Sequence, residues 1–305
     1  MKVKASKYLH DIKPILLRLR DRLLEEFPYA SILATDSQAK QYSVSRTATN
    51  IGMVGLWSGR GFVVKVYDGS GYGEYSFNEI SEDQVEEIVA KVKGDLIPMS
   101  GHLPEGVERS VYAMLEDEPL VFADSTEYEI DPAEYGDEKI IRELTRISET
   151  GRAHDERILD CGAFLNYQKY SKLFLSRNRD MEQNVLWTAG GFSVMASRGQ
   201  EIKRSYKGFS NLGGAELLER MRDGVRDAAK VTLELLESEP ITPGEYDCIC
   251  TPEATGMIVH EAFGHGVEMD MFVKKRALAE QFVGRQVASE LVTMHDGASA
   301  AKEVA

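Results

Sequence analysis

Two stretches of alternating residues decide the fold: AFLNYQKYSKLFL at residues 163–175 and VLWTAGGFSVMA at residues 185–196. Alternation with a period of two places successive side chains on opposite faces of a β-strand, so that one face can pack on a core. Turn-favouring residues at Asn178-Arg179-Asp180 separate the two stretches, and Gly190-Gly191 gives a second turn signal. The sequence therefore predicts an antiparallel meander between residues 158 and 197.

A second strand pair is predicted closer to the amino terminus. The segments 62–67 and 72–77 flank the sequence Asp68-Gly69-Ser70-Gly71, and glycine supplies the positive φ that a tight turn requires. We therefore expect a β-hairpin here, within a largely strand-forming region from residue 31 to residue 77.

Helices are predicted where apolar residues recur at three- and four-residue spacing. They are expected at about residues 9–27, 82–93, 140–147 and 213–239, the last ending before a proline. The acidic stretch at residues 127–137 is predicted to be irregular, either a solvated face or a recognition surface for basic peptides. Strands and helices together predict an α+β fold that combines helices with an antiparallel sheet.

Thr242-Pro243-Gly244 is the clearest linker, and we predict two domains, at residues 1–238 and 239–305. In the second we expect strands at residues 246–250 and 287–294, and a helix from about Thr255. About 65 residues with these elements are few for an independent core. The second domain is therefore predicted to be the incomplete start of a β-rich domain that carries the motif described below.

Composition excludes some classes of partner. Acidic residues outnumber basic ones by 50 to 36, and the net charge of −14 opposes nonspecific attraction to nucleic acid. The sequence has no apolar run of about 18 residues, so we expect no membrane span. The charged amino-terminal stretch also argues against a secretory signal.

The three cysteines, Cys161, Cys248 and Cys250, form no disulfide framework, which favours a reducing cytoplasm. Cys248 and Cys250 are separated by one residue in a predicted strand. We interpret them as core residues, with a metal-binding pair as the alternative.

The sequence MIVHEAFGHGVEMD at residues 257–270 places two histidines and a glutamate on one predicted helix. Imidazole binds zinc, and a neighbouring glutamate that is not a ligand can take a proton from the attacking water. In the usual H-E-x-x-H motif the histidines are four residues apart, which is about 40° around an ideal helix. Here His260 and His265 are five apart, or about 140°.

Both histidines can therefore bind one ion only if the helix is irregular. A π-bulge widens one turn by a residue and would bring His260 and His265 to the same face. Gly264 would let the backbone deform. Glu268 and Asp270 are candidates to orient the imidazoles. The alternative is that the histidines are surface residues that bind no metal.

The stretch HEAFGHGVEMD resembles the H-E-A-x-G-H-G-x-E-x-D signature of the TldD subfamily of TldD/TldE (PmbA) proteins, once described as modulators of DNA gyrase. The segment GFVVKVYDGSGYGEYSF at residues 61–77 resembles the strand pair of that family. Residues after the motif also match, namely Lys274, Gly284, Val287, Ala288 and Asp296-Gly297. The resemblance covers nearly the whole chain.

The resemblance implies a zinc-dependent peptidase that cleaves small or unfolded peptides. His260 and His265 would bind the metal, and Glu261 would act as general base. Iron or another divalent ion would also suit imidazole ligands. The resemblance further implies a dimer, either a homodimer or a complex with a TldE/PmbA-type subunit. Composition and charge, as described above, argue against direct contact with nucleic acid or membrane.

The third metal ligand of the family is a cysteine near the end of a longer chain, whereas this chain ends at Ala305. We therefore expect a chain that lacks the carboxy-terminal part and is inactive alone if the ligand is missing. Cys248, Cys250 and Glu268 are weaker candidates for that position. The alternative function is a non-catalytic interaction or dimerisation module of a TldD/TldE-type complex.

Overall fold

The computed structural model describes residues 1–53, 58–99 and 111–297. Its contacts divide the chain into two units. Unit 1 comprises Met1–His102, Met114–Glu239 and Glu303–Ala305, and unit 2 comprises Leu103–Ala113 and Pro240–Lys302. The predicted domain boundary stays a prediction, because a division by contacts does not show that either part folds alone. No helix in the described residues is both long and apolar enough to cross a membrane.

The described part of unit 1 contains helices and strands in alternating groups. The helices are α1 (Lys7–Glu26), α2 (Val85–Met99), α3 (Pro132–Tyr135), α4 (Asp137–Arg152) and α5 (Leu217–Leu236). The strands are β1 (Tyr29–Val44), β2 (Thr49–Met53), β3 (Gly59–Tyr67), β4 (Tyr72–Phe77), β5 (Leu120–Ser125), β6 (Ile158–Leu175), β7 (Arg179–Arg198) and β8 (Glu201–Leu212). A 3₁₀ turn at Glu82–Gln84 precedes α2.

The eight strands form one sheet in the order β4-β3-β1-β6-β7-β5, with β2 beside β1 and β8 beside β7. Every pair is antiparallel except β5 with β7, which is parallel. The predicted hairpin is β3–β4, whose turn is closed by the Asp68 amide donating to the Gly71 carbonyl at 3.0 Å. Gly69 has φ +99° in this turn. The α+β fold class is confirmed.

Both pairs of long helices cover the same face of the sheet. On β6, Cys161, Ala163 and Leu165 are buried in a cluster with α4 and α5, whereas Leu173 and Leu175 are buried in a cluster with α1 and α2. All five positions are odd-numbered, and a period of two places them on one face of the strand. The strands are therefore long enough to carry two helical layers end to end.

The structure corrects the turn predicted at Gly190-Gly191, because both glycines lie inside β7. A Cβ at Gly190 would lie 2.6 Å from the Met221 sulfur, and one at Gly191 would lie 2.7 Å from the Lys207 carbonyl oxygen. The glycines therefore permit close approach within a strand rather than a change of direction.

Strands β5 and β8 were not predicted from the sequence. The charged residues Lys203, Arg204 and Lys207 obscure the alternation of β8. Such charges are common on a strand at the edge of a sheet. The predicted solvated face at residues 127–137 is also partly wrong, since Asp131 is buried and accepts a hydrogen bond from the Lys169 ammonium at 3.1 Å.

The described residues of unit 2 are helical and irregular rather than β-rich. Helix α6 (Pro252–Val259) begins three residues before its predicted start, and α7 (Met269–Val273) follows the motif. The strands predicted at residues 246–250 and 287–294 do not form. A strand needs a neighbour for its backbone groups, and no described segment pairs with either. Cys248 and Cys250 are exposed, so their interpretation as core residues is wrong.

Gly191→Ala is expected to lower the free energy of unfolding by about 1–3 kcal/mol, because the new methyl would overlap a backbone oxygen of β8. Gly162→Ala on β6 is the matched control, since its nearest atom, the Val44 carbonyl oxygen, lies 4.0 Å away. Urea denaturation of the two variants and the parent measures the difference. Equal stability of both variants would contradict the close approach.

Candidate metal site

The chain enters the motif through a well-capped helix. The Thr251 hydroxyl accepts a hydrogen bond from the Ala254 amide at 3.4 Å, and Pro252 occupies the first turn of α6, where its lack of an N–H costs nothing. Helix α6 ends at Val259, and the motif histidines follow directly. The cap therefore determines where α6 begins, and the motif starts directly after the end of this helix.

The five residues His260–Gly264 form a π-helical turn. The backbone amide of His265 donates to the carbonyl oxygen of His260, five residues earlier, which is the hydrogen bond that defines such a turn. The two imidazole rings lie with centroids 4.5 Å apart and planes inclined at 62°. The predicted π-bulge is confirmed, and it brings the two histidines to one side of the helix.

His260, Glu261 and His265 form a group that could hold a metal ion. Each offers one ligand atom, and these atoms lie within 4.8 Å of one another. All three side chains are exposed. Among the described residues, Cys248 and Cys250 do not join this group. The structure thus brings together the three predicted site residues, while their roles stay predictions.

One carboxylate after the motif is hydrogen-bonded to a histidine. Glu268 Oε1 lies 2.8 Å from His265 Nδ1, whereas Asp270 forms an ion pair with Lys274 at 2.7 Å. The Glu268 hydrogen bond and negative charge raise the pKa of His265, and the charge of Glu261 adds to this effect. Of the two predicted orienting residues, only Glu268 contacts an imidazole in the described structure.

An apolar cleft of about 430 Å³ beside the motif helix was not predicted from the sequence. One wall is formed by Val259, Ala262 and Phe263 of the helix, and the other by residues between Arg285 and Met294. The second wall includes residues of the segment 287–294, for which the sequence predicts a strand. Their spacing could not reveal that they face the motif helix.

The chain is similar in sequence to a described family and to proteins named metalloproteases. Residues 243–305 match the family described as the PmbA/TldA metallopeptidase C-terminal domain. A metalloprotease of Methanothermobacter thermautotrophicus is 25% identical over 284 residues, covering 92% of this chain and 59% of that protein. A metalloprotease TldD homolog of Buchnera aphidicola is 24% identical over 163 residues, covering 50% of this chain and 34% of that protein. Residues 243–305 are therefore similar to a metallopeptidase C-terminal domain, and most of the chain is similar to a protein named a metalloprotease.

The fold is shared with a solved structure. A protein of Bacteroides thetaiotaomicron described as a modulator of DNA gyrase superposes with a TM-score of 0.68 at 17% identity, covering 92% of this chain and 62% of that one. The predicted resemblance to the TldD/TldE (PmbA) family is confirmed. The chain spans about three fifths of the length of the curated relatives that it matches over most of its residues.

If the group binds a metal ion, Gly264→Ala is expected to weaken that binding by roughly tenfold, the scale found when an imidazole ligand loses its orientation. The added Cβ would lie 3.2 Å from His260 Nδ1, so the ring would have to move. Gly256→Ala in α6 is the control, because its Cβ meets nothing within 4 Å. Chelator competition measures both affinities. A Gly264 variant that binds the metal as tightly as the parent would contradict this prediction.

Proposed function

We propose that this chain carries the catalytic motif of a zinc-dependent peptidase of the TldD type, which cleaves small or unfolded peptides. The observation that carries the proposal is the convergence of His260, Glu261 and His265 across the π-helical turn. An ideal helix would separate the two imidazoles by about 140°, so their convergence requires a specific distortion. Such distortions concentrate at functional sites.

The donor set suits zinc. Neutral imidazole is a common zinc ligand, with a bond of about 2.0–2.1 Å. Two ligands of one ion must then approach to within about 4 Å of each other. The ligand atoms of the group already lie within 4.8 Å of one another. Since the side chains are exposed, small rotations can close the remaining distance.

Glu261 is suited to the role of general base. Its carboxylate lies 3.8 Å from His265 Nε2, too far for a hydrogen bond, and it is 62% exposed. Within the described part of the chain it has no hydrogen-bond donor that would compete for its oxygens. It can therefore accept a proton from an attacking water and pass it to the leaving amine. Zinc, when bound, would supply Lewis acidity to the scissile carbonyl and to that water.

The substrate and the partner are further parts of the proposal. The apolar cleft beside the motif helix offers a surface for a substrate side chain, next to the residues proposed to act on the peptide bond. The family resemblance supports a dimer, formed with a second copy or with a TldE/PmbA-type subunit. It also supports a cysteine as third ligand, and no described cysteine joins the histidines.

The metal proposal predicts zinc in the purified chain or in a version extended to the length of its relatives. His260→Ala is expected to abolish it, because one of two imidazole ligands is removed. His295→Ala is the matched control, since His295 is exposed and outside the group. Elemental analysis after chelator-free purification measures zinc per chain. Equal zinc in both variants would refute this site.

Glu261→Gln is expected to lower kcat for cleavage of an unfolded peptide by about 10² to 10⁴, the typical contribution of a general base, while zinc is retained. Glu253→Gln, which changes an exposed acid in the preceding helix α6, is the control. Peptide cleavage followed by mass spectrometry in the extended protein measures both. Undiminished activity of the Glu261 variant would exclude this role. A protein that dimerises but neither holds zinc nor cleaves peptides would favour the interaction module.

A further inference from the structure

His265 lies between two carboxylates, but only one of them is hydrogen-bonded to it. Glu268 Oε1 is 2.8 Å from Nδ1, whereas Glu261 Oε2 is 3.8 Å from Nε2. The first distance is that of a strong hydrogen bond and the second is too long for one. The ring is therefore held at Nδ1, and Nε2 is the nitrogen that faces the side of Glu261.

The backbone of Glu268 is itself anchored. Glu268 is the N-cap of α7, and its carbonyl oxygen accepts hydrogen bonds from the amides of Met271 at 3.0 Å and Phe272 at 3.3 Å. The 3₁₀ turn His265–Val267 places residues 265 and 268 three positions apart on one side. The backbone that carries the Glu268 carboxylate is therefore held in place by hydrogen bonds.

The neighbouring acid does not compete for this role. Asp270 is held 2.7 Å from the ammonium of Lys274, four residues later. It has the same charge as Glu268 and lies two residues away, yet it makes a different contact. The pair Glu268 and Asp270 therefore separates the effect of a hydrogen bond to the ring from that of a nearby negative charge.

We propose that Glu268 is a positioning residue that holds His265 in the tautomer with its proton on Nδ1, which leaves Nε2 as the metal-binding nitrogen. An ionised carboxylate only accepts hydrogen bonds, so Nδ1 must be the donor. In neutral imidazole the other nitrogen then carries the free lone pair. The metal half of this inference rests on the proposed zinc site, whereas the tautomer does not.

The tautomer is measured in the metal-free chain from the ¹⁵N chemical shifts of the His265 ring, at a pH where the imidazole is neutral. The parent and Asp270→Asn are expected to show the Nδ1–H tautomer. Glu268→Ala is expected to lose it, because the acceptor is gone, while Glu268→Gln keeps a carbonyl acceptor and retains it in part. An unchanged tautomer in Glu268→Ala would overturn the proposal. Circular dichroism checks that each variant is folded.

Zinc affinity is then measured by chelator competition in the same variants. We expect Glu268→Ala to bind zinc about tenfold more weakly, Glu268→Gln to lie between it and the parent, and Asp270→Asn to match the parent. Equal affinity in Glu268→Ala and the parent would overturn the metal-binding half. Equal losses of zinc affinity in Glu268→Ala and Glu268→Gln would also overturn it, since Glu268 would then act as a ligand.

The two levels of inference can fail separately. If the parent binds no zinc even in an extended protein, the peptidase proposal fails. A tautomer that still depends on Glu268 would support the positioning role in that case. If zinc binds but the His265 tautomer is the same in the parent and in Glu268→Ala, the peptidase proposal survives and the positioning role is wrong.

Discussion

The antiparallel pairing of β6 with β7 is the interaction on which unit 1 depends. The two strands pair from Ile158 with Ala196 to Leu175 with Asp180. Strand β1 pairs with β6, whereas β5 and β8 pair with β7. Because the pair is so long, one face can carry two separate helical layers, α1 with α2 and α4 with α5. The helices add side-chain hydrogen bonds to the sheet, such as the one that the Tyr42 hydroxyl donates to Asp137 at 2.8 Å. Their apolar stripes bury the face that the strands present.

The motif depends on a different and more local constraint. The hydrogen bond from the His265 amide to the His260 carbonyl inserts one residue into the helical turn, and this insertion brings the rings together. A Cβ at Gly264 would lie 3.2 Å from His260 Nδ1, so a side chain at this position would displace the ring. The non-standard spacing of the histidines and the distorted helix are therefore two aspects of one feature.

The exposure of the three site residues bears on how such a site would be organised. Side chains that are open to water gain little from burial, so their arrangement depends on the backbone turn and on the hydrogen bond between His265 and the Glu268 carboxylate. Metal binding to such ligands couples to the order of the segment that holds them. In the proposed function, zinc would thus contribute to the structure of this segment as well as to its chemistry.

The sequence by itself determined the α+β class, the β3–β4 hairpin, the amphipathic helices and the need for a widened turn between His260 and His265. Each of these follows from the spacing of residues within a short segment. Within such a segment, helix or strand geometry determines the direction in which each side chain points. Only the tertiary structure decided that Gly190 and Gly191 lie within a strand, that Asp131 is buried, and that residues 246–250 form no strand. Those outcomes depend on whether another segment packs or pairs with the residues concerned, and on which segment it is. The choice of Glu268 over Asp270 was decided in the same way, by the partner within reach of each carboxylate, which spacing alone does not reveal.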